Sequence, residues 1–185
     1  MSRFRFTAAD GTKMTFREPR PGDAAQLMEF INEIIDEPMS GLIMNKHVTI
    51  EEERKWLKSR LKEIAEHETV MLLVESSGRV RGNCSVSLRP WKEAHKGNIG
   101  IALNKDVRGK GVGEALMRRT MDLAEKRMKG LEMFDLAAFR YNKRALALYK
   151  KLGFVRVGRI PDSVKEKGGI YSDEEIMVLR VKDKR

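Results

Sequence analysis

Val107-Arg108-Gly109-Lys110-Gly111-Val112-Gly113-Glu114 constrains this chain more than any other stretch. An apolar run, Asn98-Ile99-Gly100-Ile101-Ala102-Leu103, precedes it and reads as a strand. Val112, Leu116, Thr120 and Leu123 follow at helical spacing, with Ala115 filling in. A strand therefore runs into a glycine-rich turn, and the turn opens a helix. That arrangement aims unpaired backbone N–H groups and the positive end of a helix dipole at one spot. The guest expected there is a phosphate or pyrophosphate. Gly111 and Gly113 leave no Cβ between backbone and anion and permit positive φ. Arg108 offers a fork of donors and Lys110 a point charge, each charge-assisted bond contributing ~1.5–3 kcal/mol.

Two common phosphate loops are excluded by spacing. A P-loop requires G-x-x-x-x-G-K-[ST], and that string is absent. A G-x-G-x-x-G fingerprint begun at Gly109 or Gly111 ends on Glu114 or Leu116. The stretch does read R-x-x-G-x-G, from Arg108 through Gly111 to Gly113. A second pattern follows about 30 residues later: N-x-x-A-x-x-x-Y-x-x-x-G-F, set by Asn142, Ala145, Tyr149, Gly153 and Phe154. By themselves these residues describe a capped helix, with Asn142 as the cap and Tyr149 on the core face. Together, the two motifs resemble the acetyl-CoA loop and the following helix of the GNAT superfamily of N-acetyltransferases. The resemblance extends over residues 13–181.

Composition narrows the alternatives. The 185 residues suffice for one core, and no composition break or repeat divides them, so residues 1–185 read as a single domain. No apolar run approaches the ~20 residues that span a bilayer, and Met1–Phe6 lacks an apolar signal core. No membrane association is expected, and a cytoplasmic location is the default. Cys84 is the single cysteine, inside a strand-like run, and reads as a buried thiol. With His47, His67 and His95 scattered, no metal-ligand spacing exists and no metal is expected. The net charge of +10 permits nucleic-acid binding, but the bases are interleaved with acids as on a solvated surface.

The chain in order predicts a mixed α/β (α+β) fold. Arg3–Thr7 and Lys13–Arg17 flank Asp10-Gly11 as a hairpin whose first strand, within 1–12, adds to the core. Asp23 is expected to cap a helix carrying Leu27, Phe30, Ile31 and Ile34, stopped by Pro38. Thr49-Ile50-Glu51-Glu52 is a capping box for a second helix. Strands follow at 71–74, 80–88 and 98–103, then a helix to about Lys129 closed by Gly130. Met133–Phe139 reads as a strand, 143–152 as a helix and 154–157 as a short strand. Residues 158–172 read as a long loop before a last strand at 175–181.

What the resemblance implies is a mostly antiparallel sheet of six or seven strands with about four flanking helices. The strands at 98–103 and 133–139 should splay. Pantetheine would enter that V along Ile101, Ala102 and Leu103. Pyrophosphate would rest on Arg108, Gly109, Lys110, Gly111, Val112 and Gly113, with Asn142 beside the arm. Tyr149 would protonate the departing thiol as general acid. Glu93 and Asp135, and beside them His95, are candidate bases, although a water chain serves equally. The acceptor would be an amine, on a protein N-terminus, a lysine or a small cation such as a polyamine. Asp36, Glu37, Asp173, Glu174 and Glu175 are the acids placed to attract it, with Arg159, Lys165 and Lys167 opposing them. A homodimer is an assembly the family admits. A catalytically silent CoA sensor is the alternative reading, and a basic nucleic-acid binder is the disfavoured one.

Overall fold

A computed structural model describes residues 2–166 and 168–181, so Lys167 lies outside the described residues. The elements run β1 (Arg3–Thr7), β2 (Lys13–Arg17), α1 (Ala24–Ile35), α2 (Ile50–Ala65), β3 (Thr69–Ser76), β4 (Arg79–Leu88) and β5 (Lys96–Leu103). They continue with α3 (Val112–Arg127), β6 (Met133–Phe139), α4 (Lys143–Lys151), β7 (Val155–Lys165) and β8 (Tyr171–Arg180). The strands form one sheet in the order β1-β2-β3-β4-β5-β6-β8-β7. Every pairing is antiparallel except β5 with β6. No helix among the described residues is long and apolar enough to cross a membrane.

Helices cover both faces. Leu27, Phe30 and Ile34 of α1 and Leu57 of α2 pack on Met71 and Leu73 of β3. Leu116, Met117 and Ala124 of α3 and Tyr149 of α4 pack on Leu72, Cys84, Val86 and Phe134 from the other side. The two faces of β3 are therefore both buried, which is why Thr69–Val74 carries no alternation. The capping box forms as read: Thr49 N–H donates to Glu52 Oε2 at 2.7 Å and Glu52 N–H to Thr49 Oγ1 at 3.3 Å.

Three expectations need correction. Asp23 does not cap α1 with its side chain. Its carboxylate is taken by the Arg17 guanidinium and by Arg20 N–H at 2.7 Å. The stretch 158–172 is mostly strand, not loop: β7 and β8 pair from Val155↔Val178 to Lys165↔Tyr171. As the sheet's edge, β7 is exposed along most of its length and carries Gly158, Pro161 and two register shifts. No alternation survives for a sequence pattern to find. With both terminal hairpins included, the sheet has eight strands rather than six or seven.

Glu53, on the inner side of α2, is 8% exposed, and its carboxylate has no hydrogen-bond or ion-pair partner among the described residues. Burial raises its carboxyl to about 7. A raised acid binds its proton more tightly in the folded chain, so its penalty is absent below the unfolded value of 4.5, grows through about 7, and is constant above. Glu53→Gln is therefore expected to stabilise at pH 8 by about 1–2 kcal/mol after allowance for residual solvent access. The melting temperature should rise by roughly 3–6 °C at pH 8, and the gain should shrink at pH 5. Equal shifts at both pH values would remove the titration account.

Candidate active site

The β5–β6 pair is short. Its rungs are Lys96↔Met133, Gly97↔Phe134 and Asn98↔Asp135. Beyond them β5 continues to Leu103 against β4 only, and β6 to Phe139 against β8 only. The strands thus part as a V, and the facing edges of 99–103 and 136–139 have no strand partner among the described residues. The last rung is fastened from outside the cleft. Arg89 Nε donates to Asp135 Oδ1 at 2.9 Å, its Nη2 also reaches that carboxylate, and Asn98 Nδ2 donates to Asp135 at 3.3 Å.

The V opens into a cleft of about 750 Å³. Its wall includes Ile101, Ala102, Leu103, Arg108, Gly109, Gly111, Gly113, Asn142 and Tyr149 from the sequence expectation. Lys110 and Val112 lie outside this wall. Lys110 is ion-paired to Asp10 at 2.8 Å, and Val112 is buried in the core under α3. The loop takes positive φ at Gly109 and Gly111, at 79° and 81°. Gly113 is helical instead, and its Cα approaches α4: a Cβ there would lie 3.3 Å from Leu148. The first intrahelical bond of α3 runs from Ala115 N–H to Gly111 C=O, so the amides of 112–114 have no acceptor within the helix.

Arg108 departs from expectation. Its Nε donates to Leu103 C=O at 2.7 Å, and its Nη1 and Nη2 donate to Glu37 at 2.6 and 3.0 Å. The cleft cations whose side chains carry no partner are ones the sequence does not single out. Lys143 and Arg144, at the start of α4, line the cleft and have no partner among the described residues. A Cβ on Gly109 would sit 2.6 Å from Arg144 Nη2, which places that guanidinium directly over the glycine loop. The signal was present in the sequence, as two bases immediately after a capping Asn142. That cap forms, with Ala145 N–H donating to Asn142 Oδ1 at 3.1 Å.

Tyr149 is 7% exposed and lines the cleft from α4. Its ring packs against Phe154 at 6.0 Å between centroids. Burial, and then neighbouring Cys84, push its phenol above the ordinary range. It is consequently protonated at every physiological pH.

The two proposed bases are elsewhere. Glu93 lies in the short connection between β4 and β5, exposed, with Lys96 Nζ at 2.7 Å holding its carboxyl below the usual range. Phe134, Leu136 and Ala138 belong to the core under α3 and α4, so alternation turns Asp135 to the opposite face. Burial alone would raise Asp135, but the hydrogen bonds from Arg89 and Asn98 outweigh it and hold it low. Both acids are structural partners outside the cleft wall. His95 offers its backbone C=O to Glu132 and Met133 N–H, at the closed end of the V. The acids expected to draw in a cation are likewise occupied. Asp36 meets His47 at 2.7 Å, Glu37 meets Arg108, and Glu174 accepts from Ser163 at 2.7 Å. Asp173 is paired with Arg140 and Arg159, and Glu175 with Arg156 at 3.2 Å.

Comparison with known proteins agrees with this architecture. A family model described as the acetyltransferase (GNAT) family matches residues 28–154. Thialysine N-epsilon-acetyltransferase of Bos taurus is 26% identical over 144 residues, which are 74% of this chain and 81% of that protein. L-methionine sulfoximine/L-methionine sulfone acetyltransferase of Pseudomonas paraeruginosa is 29% identical over 115 residues, 60% of this chain and 64% of that one. Among solved structures, an acetyltransferase of GNAT family from Streptococcus pneumoniae superposes with a TM-score of 0.81 at 24% identity, covering 91% of this chain and 99% of that chain. A GNAT superfamily phosphinothricin acetyltransferase from Sinorhizobium meliloti, in complex with acetyl-CoA, gives 0.77 at 19% identity over 91% and 88%.

Proposed function

The chain belongs to the acetyltransferase (GNAT) family, and from that premise we propose that it moves an acetyl group from acetyl-CoA to the primary amine of a small, amino-acid-like molecule. The observation carrying the proposal is the cleft itself. Unpaired β5 backbone, a glycine turn at the head of α3 and a buried tyrosine converge on one space. Those groups fit acetyl-CoA. Free amides at 112–114 suit pyrophosphate, Lys143 and Arg144 suit further phosphate charge, and the edge of 99–103 suits an amide-bearing arm.

The chemistry is direct transfer. The amine lone pair attacks the thioester carbonyl carbon, a C–N bond forms, and the C–S bond breaks. The departing sulfur takes a proton from the Tyr149 hydroxyl, and the phenolate regains one through water from the nitrogen that the new C–N bond leaves cationic. Backbone N–H groups at the open edge of β5 can polarise the carbonyl. A free amine of pKa ~10.4 costs about 4–5 kcal/mol to deprotonate at pH 7. The carboxylates on the cleft wall are poor bases for that proton. Glu37 is bound to Arg108, and Lys151 and Arg118 hold Glu114 below its usual range. The proton therefore leaves through water. The neutralised acids around the cleft argue for an amino-acid-like acceptor, whose own carboxylate offsets its amine charge, rather than a polyamine. The two amino-acid acetyltransferases among the relatives support the same choice.

Calorimetric titration with acetyl-CoA tests the cleft. A Cβ on Gly111 meets nothing nearer than Phe6 at 4.0 Å, but the φ of 81° there strains any side chain, so an indole distorts the glycine turn as well as crowding it. Wild type should bind with micromolar Kd, and Gly111→Trp should bind at least about tenfold more weakly, a loss of ~1.4 kcal/mol or more. Acetylation of an amine panel led by lysine analogues and methionine sulfoximine follows. No heat with folded wild type free of bound CoA would end the transferase reading.

A further inference from the structure

The connection between α1 and α2 is fastened to both motif segments of the cleft, and that fastening carries a consequence for the two substrates. Glu37 receives two N–H groups of Arg108, the first residue of R-x-x-G-x-G. Three residues on, Ser40 C=O accepts the Tyr141 hydroxyl at 2.8 Å. At Gly41 a Cβ would lie 2.7 Å from Asn142 Nδ2, so this backbone rests against the α4 cap. Glu37, Ser40 and Gly41 all line the cleft.

Resting on the reading that the cleft takes acetyl-CoA, we infer that Glu37 is a positioning residue: through Arg108 it ties the loop at 36–49 to the occupancy of the glycine turn. Arg108 spends three of its five N–H groups, on Leu103 C=O and the two Glu37 oxygens. Two remain for an anion in the glycine turn, so the pyrophosphate can engage Arg108 without releasing Glu37. The side chains of Arg108 and Glu37 are 29% and 22% exposed, in reach of solvent yet shielded enough for the pair to matter. An anion that immobilises Arg108 immobilises Glu37 with it, and Glu37 carries the backbone that walls the amine's side of the cleft. By linkage, an acceptor that orders this loop must tighten acetyl-CoA by the same factor. Arg108 is thus a strut between two binding surfaces.

Amide hydrogen exchange on the full chain, with and without CoA, reads this coupling without an identified acceptor. In wild type, CoA should slow exchange of peptides covering 37–44 by about fivefold. In Glu37→Gln, CoA should still bind, with Kd changed less than about threefold, while that protection falls below about 1.5-fold. Peptides from β3 must exchange as in wild type, which separates a lost strut from a misfolded chain. Once an acceptor is in hand, Glu37→Gln should raise its KM more than it lowers kcat. Exchange of 37–44 that CoA leaves unchanged or accelerates overturns the proposal, as does a Gln variant that responds like wild type. Absence of any CoA heat overturns the reading of the cleft, and this proposal with it.

Discussion

Tyr149→Phe is expected to lower kcat by about 10²-fold or more, with the KM for acetyl-CoA held within roughly threefold. The substitution removes one oxygen and keeps the ring that packs on Phe154, so α4 and the core below it remain in place. On the proposed mechanism, what is lost is the proton that meets the sulfur as the C–S bond breaks. A free thiol has pKa ~8.5 and a phenol ~10, so in water full transfer from phenol to thiolate is slightly uphill. Inside the protein both numbers move together. Cys84, buried on the neighbouring strand, has its thiol pushed up to about 12 by the same apolar surroundings that raise Tyr149. A thiolate departing into the same surroundings is destabilised in the same sense, so the gap stays small and the phenol remains a competent donor to it. Steady-state kinetics with the best amine of the panel measures this. A variant that keeps wild-type kcat would take the tyrosine out of the chemistry and leave it a core residue. A wild type with no turnover on any amine, yet tight CoA binding, would point to a silent sensor.

The sequence made the glycine-turn half of the cleft readable because that half is built from local signals. A glycine turn between an apolar strand and an amphipathic helix can be recognised from neighbouring residues alone. So can a cap such as Asn142 with its helix. Side-chain partners are not legible where they come from far along the chain. Arg108 meets Glu37, 71 residues away, and Asp135 meets Arg89, 46 away. Each was read as free because its partner lies on another element. The terminal hairpin was missed for a different reason. An exposed edge strand with bulges and Pro161 has no buried face to impose a period, and its identity comes from pairing with β8. The acids of the acceptor side show the same limit. Their attraction for a cation depends on whether an arginine already sits beside each of them, and only the fold decides that.

The largest loss of stability is expected from Arg17, far from the cleft. Its side chain is 6% exposed and joins three segments. Nη1 and Nη2 donate to the two Asp23 oxygens at 2.8 and 2.9 Å, and Nε donates to Glu75 at 2.6 Å. Asp23 in turn holds Arg20 N–H, so the entry to α1 is fixed to β2 and β3 through one guanidinium. Donation to the Asp23 carboxylate is the main reason the Arg17 guanidinium holds its proton more tightly than usual. Removing it leaves the buried Asp23 carboxyl group without its cationic partner. Arg17→Met keeps an apolar stem and should still cost about 3–5 kcal/mol, much of the ~5–15 kcal/mol that such a domain has. The melting temperature should fall by roughly 6–20 °C. Pairing it with Asp23→Asn removes the stranded charge, and at least half of the loss should return, because deleting both ions of a buried pair is far milder than deleting one. Urea denaturation of the two single variants and the double variant closes the cycle. If the losses of the single variants simply add in the double variant, Arg17 and Asp23 act independently. The start of α1 is then held by its apolar face on Met71 and Leu73 rather than by this ion pair.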